Sequence, residues 1–544
     1  MAAPTTLERT LAAAGVARVG TEQSYMRLGF SAGEARTVRG APTPGGALVP
    51  RPRRSLLLLV QLTDLQLADT ASPGRFEFFE YLRGLPGTSA FIPAHRPQEA
   101  LAFHAVDAMA RAIRTCGGSP DTGAPIGLAL CTGDNIDNAQ LNELTWFLSL
   151  IAGGRVELAG TGGHYEGVQS AMWPSDLYWH PDGGADRYRD RWGFPDYPGL
   201  LDQATASFDA GGAGVPWLSC FGNHEGLAFG ESVPTAEYRQ ILTGALKPTA
   251  LGPGCDPLHR EEELFAHPER FLTGPALPVT PDATRTIVTR RDFVAAHLRA
   301  AGLPTGHGYS EENLENGTCY AAYDGIEGIR LILLDSTNLN GRSGGSFGLR
   351  QLAWLEERLA EVHARHMSRS GSTTVTGNED RLVVLASHHG LASLSNDRET
   401  VEGPEEDQPR ATAVEVEALL HRFPNVVLWL NGHRHLNEIR FRRAPGTKER
   451  GFWEVSTVSL ADWPSQARLV ELTANGDGSL SVLCTMLDHL GPADPREADG
   501  LGRIASIHRE LAANAPGHGL SSSARGRLED RNVELVMRAP FQLQ

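Results

Sequence analysis

The chain has 544 residues, 41% of them hydrophobic and 21% charged, proportions ordinary for a folded protein of two to four average domains or one large domain with insertions. Its 49 basic and 65 acidic residues leave a net charge of −16. That excludes the broad cationic footprint used to grip nucleic acid or anionic membranes, though not a phosphorylated substrate held through bound cations.

Residues 1–50 are rich in Ala, Gly, Thr and Pro and are expected to form an irregular lead-in, with a weak helical patch near Thr6–Ala14. The opening MAAPTTLERTLAAAGVARVG has no twin arginine and no apolar h-region. The run Leu56–Val60 follows Arg53 and Arg54, but it is shorter than the roughly 7–15 residues of an export signal and lies far from the start. A cytoplasmic location is therefore expected. No run approaches the roughly 18 apolar residues of a membrane helix. Cys116, Cys131, Cys220, Cys255, Cys319 and Cys484 form no CxxC pair, which points to unpaired core thiols rather than a disulfide framework or a cysteine zinc site.

From residue 51 onward a pattern repeats. SLLLLVQLTD ends at Asp64, IGLALCTGDNID at Asp134, VPWLSCFGNHE at Asn223 and His224, IRLILLDST at Asp335, RLVVLASHHG at His388 and His389, and NVVLWLNGHRH at His433 and His435. Short continuous apolar runs suit strands buried on both faces. Helical patterns lie between several of them, at 100–114, 141–150, 349–364 and 414–421. Strand alternating with helix predicts a layered α/β fold, with functional residues at the carboxyl ends of the strands. Two inserts, about 153–214 and 225–324, are too long for ordinary connections. The first is dense in aromatics, so it is expected to fold. Its His164, His180, Trp173, Tyr178 and Trp179 either form a satellite core or reach a substrate. GFWEVSTVSLADW and ARLVELTANGDGSLSVLCTML read as further strands, and the segment from 490 as a helical tail packed on a 51–489 catalytic domain.

The strand ends together offer carboxylate, amide oxygen and imidazole, the ligand types of manganese, iron and zinc. A carboxylate bridging two ions about 3.5–4 Å apart is the device of two-metal hydrolytic sites. The ordered series TDLQ, GDNID, GNHE, SHHG and GHRH resembles the calcineurin-like metallophosphoesterase superfamily, whose signatures are DxH, GDxxD, GNH(D/E), an HH pair and GHxH. Phrases such as LADTASPGRFEF, RPQEAL, GVPWLSCFGNHEGL and ADWPSQARLVEL resemble an actinobacterial branch with long inserts, from about residue 50 to the end. Relatives in that branch often carry a twin-arginine export signal, which is not seen here.

The resemblance implies a four-layer αββα sandwich with two divalent ions, manganese ahead of iron, zinc and magnesium. It implies hydrolysis of a small phosphorylated substrate, a monoester or diester, by a metal-bound hydroxide. Asp64 and His435 would hold the first metal, Asp134 would bridge, and Asn223, His388 and His433 would hold the second. His224 would protonate the leaving oxygen, oriented by Asp137, which could otherwise simply cap the following helix. His389 is expected to support the site or the fold rather than to bind metal, and Asp335 to be a turn or helix-cap residue.

Gln66 departs from the family pattern, which has histidine there. Strand alternation still aims it at the first metal. It could ligate through its amide oxygen, act through a water, or mark a weak or empty first site. In the last case the chain would be a phosphate- or metal-binding protein on the same fold, with catalysis weakened.

Overall fold

The computed structural model describes residues 5–40, 53–86, 88, 91, 93–158, 164–399, 409–447 and 449–543. Two large sheets organise it. One has seven strands in the spatial order Thr37–Gly40, Val533–Arg538, Ser479–Asp488, Gln466–Ala474, Arg54–Leu62, Leu128–Cys131 and Trp217–Ser219. The other has six, ordered Ala321–Ile326, Ile329–Leu334, Leu382–Ser387, Val426–Asn431, Gly451–Ser456 and Glu438–Arg443. Each sheet has a parallel stretch: at one end of the seven-stranded sheet, Arg54–Leu62 with Leu128–Cys131 and Trp217–Ser219, and in the middle of the six-stranded sheet, Ile329–Leu334 with Leu382–Ser387, Val426–Asn431 and Gly451–Ser456. Parallel strands running the same way bring all the motif-bearing ends to one rim.

Strand periodicity shows how the layers stack. Leu331, Leu333, Val384 and Ala386 join one core with Leu59, Val60, Leu469 and Val482 of the seven-stranded sheet. Their neighbours Ile332, Leu334, Val383 and Leu385 face the other way, onto Leu355 and Leu359 of helix Leu349–Ala360 and Val416 and Leu419 of helix Ala413–Leu420. Alternate residues thus serve two different cores, which is why Leu331–Leu334 and Leu382–Ala386 are apolar throughout. Helices Ala102–Thr115 and Leu141–Ala152 contribute Phe103, Met109, Leu144 and Phe147 to the core of the seven-stranded sheet. The protein is a four-layer αββα sandwich. Polar ties also cross between the sheets. Buried Gln61 donates to the Thr132 hydroxyl (3.1 Å) and the Asn431 carbonyl (3.0 Å) and accepts from Thr457 (2.7 Å).

Both flanks differ from expectation. The supposedly irregular lead-in contains an antiparallel pair, Arg9–Arg18 with Tyr25–Ala32, and Thr37–Gly40 at the edge of the large sheet. The tail does hold helix Gly500–Asn514, but Val533–Arg538 then pairs with Ser479–Asp488 inside the sheet. Neither segment has the continuous apolar run of a central strand, so pairing across the chain decided them. All six cysteines are free, four buried and two half-buried. No helix among the described residues is long and apolar enough to cross a membrane.

The first insert is a satellite core. Trp179 packs with Tyr188, Phe194, Tyr25 and Ile507, while Trp173 and Tyr178 cluster with Val168. Both ring nitrogens of His180 face carbonyls, of Gln169 and Ser175, and His164 is exposed.

Replacing Leu333, fully buried between the sheets, by alanine is expected to cost about 2–5 kcal/mol, because close-packed sheets relax little around a cavity. Denaturant unfolding measures it; a loss under about 1 kcal/mol would contradict this packing.

Candidate metal centre

The motif residues meet where the two sheets' parallel strands end. Past their last paired residues the strands stay in register: Asp64 donates its N–H to the Gly133 carbonyl (3.1 Å) and Gln66 to that of Asp134 (2.9 Å). Here the chain turns sharply. Asp64, Gln66, Asp134, His433 and His435 all have positive φ, between 43° and 67°. Left-handed backbone at non-glycine residues is costly and persists where surroundings over-determine it, typically at functional sites. Gly432 permits the close approach of the two loops, since a Cβ there would collide with Thr63 and Asp64.

The side chains converge. His388 Nε2 lies 3.0 Å from Asp134 Oδ2 and 4.0 Å from Asp64 Oδ1, and His435 Nε2 lies 3.2 Å from Asp64 Oδ1. Asp64, Asp134 and His388 present ligand atoms within 4.8 Å of one another, as do His388, His389 and His433. His389 is nevertheless spoken for: its Nε2 faces the Ser343 carbonyl (2.7 Å) and its Nδ1 the Ser336 hydroxyl (2.8 Å). Asp335 ties off its own turn through the Thr337 N–H and pairs with Arg290.

Three of the remaining imidazoles, His388, His435 and His224, are aimed by their other nitrogen. His388 Nδ1 bonds the Thr132 carbonyl (2.9 Å), which leaves Nε2 as the ligand atom. His435 Nδ1 bonds Asp462 (2.6 Å) and turns its Nε2 on Asp64. Orienting a ligand through its second ring nitrogen is a general feature of metal sites. His224 Nδ1 bonds the backbone carbonyl of Asp137 (2.5 Å). This corrects the expected role of Asp137: its carboxylate stays 3.9 Å from His224 and is taken by Arg75. The residue orients His224 through its main chain, because the buried Arg75 guanidinium competes successfully for the side chain.

Two buried acceptors at this rim lack any hydrogen-bond partner, Gln66 Oε1 and Asn223 Oδ1, while His388 Nε2 faces only the carboxylates of Asp134 and Asp64. The Asn223 amide is fixed by its Nδ2 donating to the Gly230 carbonyl (3.0 Å). The Gln66 Nε2 lies 3.3 Å from His224 Nε2. With Nδ1–H of His224 given to Asp137, a neutral ring has only a lone pair at Nε2, so the amide N–H must point there and the oxygen away. A buried orphan acceptor costs about 1–3 kcal/mol. Two of them, beside two buried carboxylates and the His388 and His435 rings, fit a pair of divalent cations.

Two acidic residues here were not singled out from sequence. Glu225, the last residue of GNHE, accepts from the N–H groups of Gly222 (2.7 Å), Asp134 (2.9 Å) and Asn135 (2.6 Å), welding two motif loops together. Burial and the neighbouring Asp134 push it up to about 7. Asp462, in the ADWP phrase, is the partner of His435. The motif spacing carries no sign of either role. The cavity over the site has a volume of about 400 Å³ and is bounded by Gln66, His224, His433 and His435 together with Phe76, Phe91 and Phe229. A larger cavity of about 800 Å³ lies elsewhere, beside Phe423 and Phe541. None of the five candidates of the first insert lines the site.

No protein-family model matches the chain, and no curated protein matches it. Among solved structures, a purple acid phosphatase from yellow lupin (Lupinus luteus) seeds aligns with TM-score 0.29 and 10% identity, over 79% of this chain and 51% of that one. The sulfate thiohydrolase SoxB of Thermus thermophilus, in complex with glycerol, aligns with TM-score 0.29 and 14% identity, over 85% of this chain and 62% of that one. The chain thus spans less than two thirds of either protein, and likenesses this distant assign no activity.

Burial alone would lower His388 and His435, but the carboxylates of Asp134 and Asp64 outweigh it and hold them at about 9 and about 10. Raised values mean both rings carry a proton at pH 7 without metal. They stabilise the metal-free fold below pH of about 6.5, and that contribution is lost as pH rises through 9 to 10. A divalent ion must displace those protons. Metal uptake at pH 7 is therefore expected to release up to two protons and to tighten toward pH 9. Calorimetry in buffers of different ionisation enthalpy reads the release; uptake without proton release would refute this assignment.

Proposed function

We propose that the protein is a metallophosphoesterase holding two divalent ions. The observation that carries the reading is the convergence of two orphaned buried acceptors and the imidazoles of His388 and His435 on two buried carboxylates that no lysine or arginine neutralises, among the described residues. Asp64, Gln66, Asp134 and His435 would hold the first ion, and Asp134, Asn223, His388 and His433 the second. When bound, such a pair supplies an acidified water and draws charge from phosphoryl oxygens. Gln66 completes the first site rather than emptying it: its oxygen is free for metal while its N–H contacts His224. An amide oxygen is a hard donor and favours manganese or magnesium over zinc.

His224 borders the cavity with Nε2 4.0 Å from Asp134 Oδ2. Its Nδ1–H is anchored on the Asp137 carbonyl, so Nε2 is the atom that would carry a proton to the leaving oxygen. Gly230 keeps that edge open, since its φ of 75° favours glycine and a Cβ would strike the His224 ring. Phe76, Phe91 and Phe229 give the space beside it an apolar wall, suited to a leaving group with a hydrophobic face.

The test is turnover of matched aryl phosphate mono- and diesters by metal-stripped protein given Mn²⁺, Mg²⁺ or Zn²⁺. Activity is expected to return with manganese ahead of zinc. Asp134→Asn is expected to lose more than about 100-fold, beyond what removing a mere supporting residue costs. His224→Asn is expected to slow the reaction about 10²–10⁴-fold while still binding metal. Bound metal without turnover of either ester would favour a phosphate- or metal-binding protein instead.

A further inference from the structure

One cationic group in the site cavity is left over by this mechanism. Arg96 borders the cavity with its side chain 13% exposed. Its Nε donates to Asp462 Oδ1 (2.9 Å), and its backbone N–H to Glu99 Oε2 (3.2 Å). Among the described residues its two terminal nitrogens have no partner. The guanidinium is not a swinging surface group: Asp462 clamps it and, through its other oxygen, also holds His435 Nδ1 at 2.6 Å. His518 borders the same cavity, close enough to Arg96 and Asp462 to feel both charges. Its segment is pinned by the Arg83 guanidinium on the Pro516 carbonyl (3.0 Å).

The carboxylates that face this space are already engaged. Asp137 is held by Arg75, Asp462 by Arg96 and His435, and Glu231 by the Ser343 N–H (2.8 Å). What remains open is a set of donors. A guanidinium edge that borders the cavity without a protein acceptor is open to one, and its planar fork matches a carboxylate or a phosphate. In the hydrogen-bond relay Asp462 and His435 stand between this guanidinium and the Asp64 carboxylate, so Arg96 is not itself tied to the groups proposed to hold metal. At about 400 Å³ the cavity is in the range that holds a whole small molecule.

We infer that Arg96 and His518 form a second anion subsite, and that the substrate is a phosphoester carrying another anionic group, phosphate or carboxylate, beyond the one cleaved. The metallophosphoesterase reading supplies the first anion; the second rests on Arg96 alone.

Calorimetric titration of the manganese-loaded protein tests this without turnover. The probes are propylphosphonate, 3-phosphonopropanoate and propane-1,3-bisphosphonate. At least one dianionic probe is expected to bind about tenfold or more tighter than propylphosphonate, the gain of a charge-assisted pair. The better of the two identifies the second group as carboxylate or phosphate. Arg96→Met is expected to erase that margin and Arg96→Lys to keep part of it. Arg96 variants could also disturb His435 through Asp462, so the unmodified protein decides first: equal affinity for all three probes overturns the subsite. A margin that survives in Arg96→Met, as simple chelation of manganese would give, overturns it too. Tight binding of a dianionic probe that needs Arg96 but no manganese upholds the subsite while the two-metal reading fails.

Discussion

Asp64 and Asp134 are buried at the meeting point of two sheets, and neither is neutralised by a lysine or arginine among the described residues. Removing two carboxylates from water costs several kcal/mol each unless compensating charge is at hand. The compensation offered is imidazole and, by the orphaned acceptors around it, cations. Much of the surrounding structure serves this constraint. The Thr63 hydroxyl and the His433 N–H bond Asp64 (2.7 and about 3.1 Å), the His224 N–H bonds Asp134 (2.9 Å), and Glu225 fastens the loops that carry them.

The fold delivers these groups because parallel strands from separate sheets end on one rim. Gln61 shows how the rim is kept in place, with one buried amide satisfied from three directions by residues of both sheets. Arg468 extends the same tie, reaching Thr457 (2.9 Å), Asn437 (2.7 Å) and the Asp530 carbonyl (3.0 Å). Polar groups this deep hold a register only when fully satisfied, and these are. The backbone strain at Asp64, Gln66, Asp134, His433 and His435 is concentrated beyond the ties, where the chain leaves the strands.

Gln66 shows how a departure from a motif can be compensated locally. Its amide has two ends, and they differ: the nitrogen contacts His224 and the oxygen has no hydrogen-bond partner. In the proposed reading this would tie the first metal's ligand set to the residue that protonates the leaving group. Arg75 makes the opposite kind of correction. It draws off the Asp137 carboxylate, so His224 is held by a carbonyl, which bears no full charge and does not titrate.

The sequence by itself determined the central strands, because doubly buried strands must be continuous apolar runs, and it determined the residues at their ends, because ligand chemistry limits what can stand there. It placed the helices at 102–115, 141–152, 349–360 and 413–420 to within a few residues, through their amphipathic spacing. The edges were not legible. Thr37–Gly40 is a strand because it pairs with Val533–Arg538, from which nearly the whole chain separates it, and Val533–Arg538 because it also pairs with Ser479–Asp488; local pattern does not register such pairing. The partners of the ligands escaped for the same reason: Asp462 for His435, Glu225 for the loops, the Asp137 carbonyl for His224. A side chain's hydrogen-bond partner is set by three-dimensional competition, as between Arg75 and His224 for one carboxylate, and only the tertiary structure decides who wins.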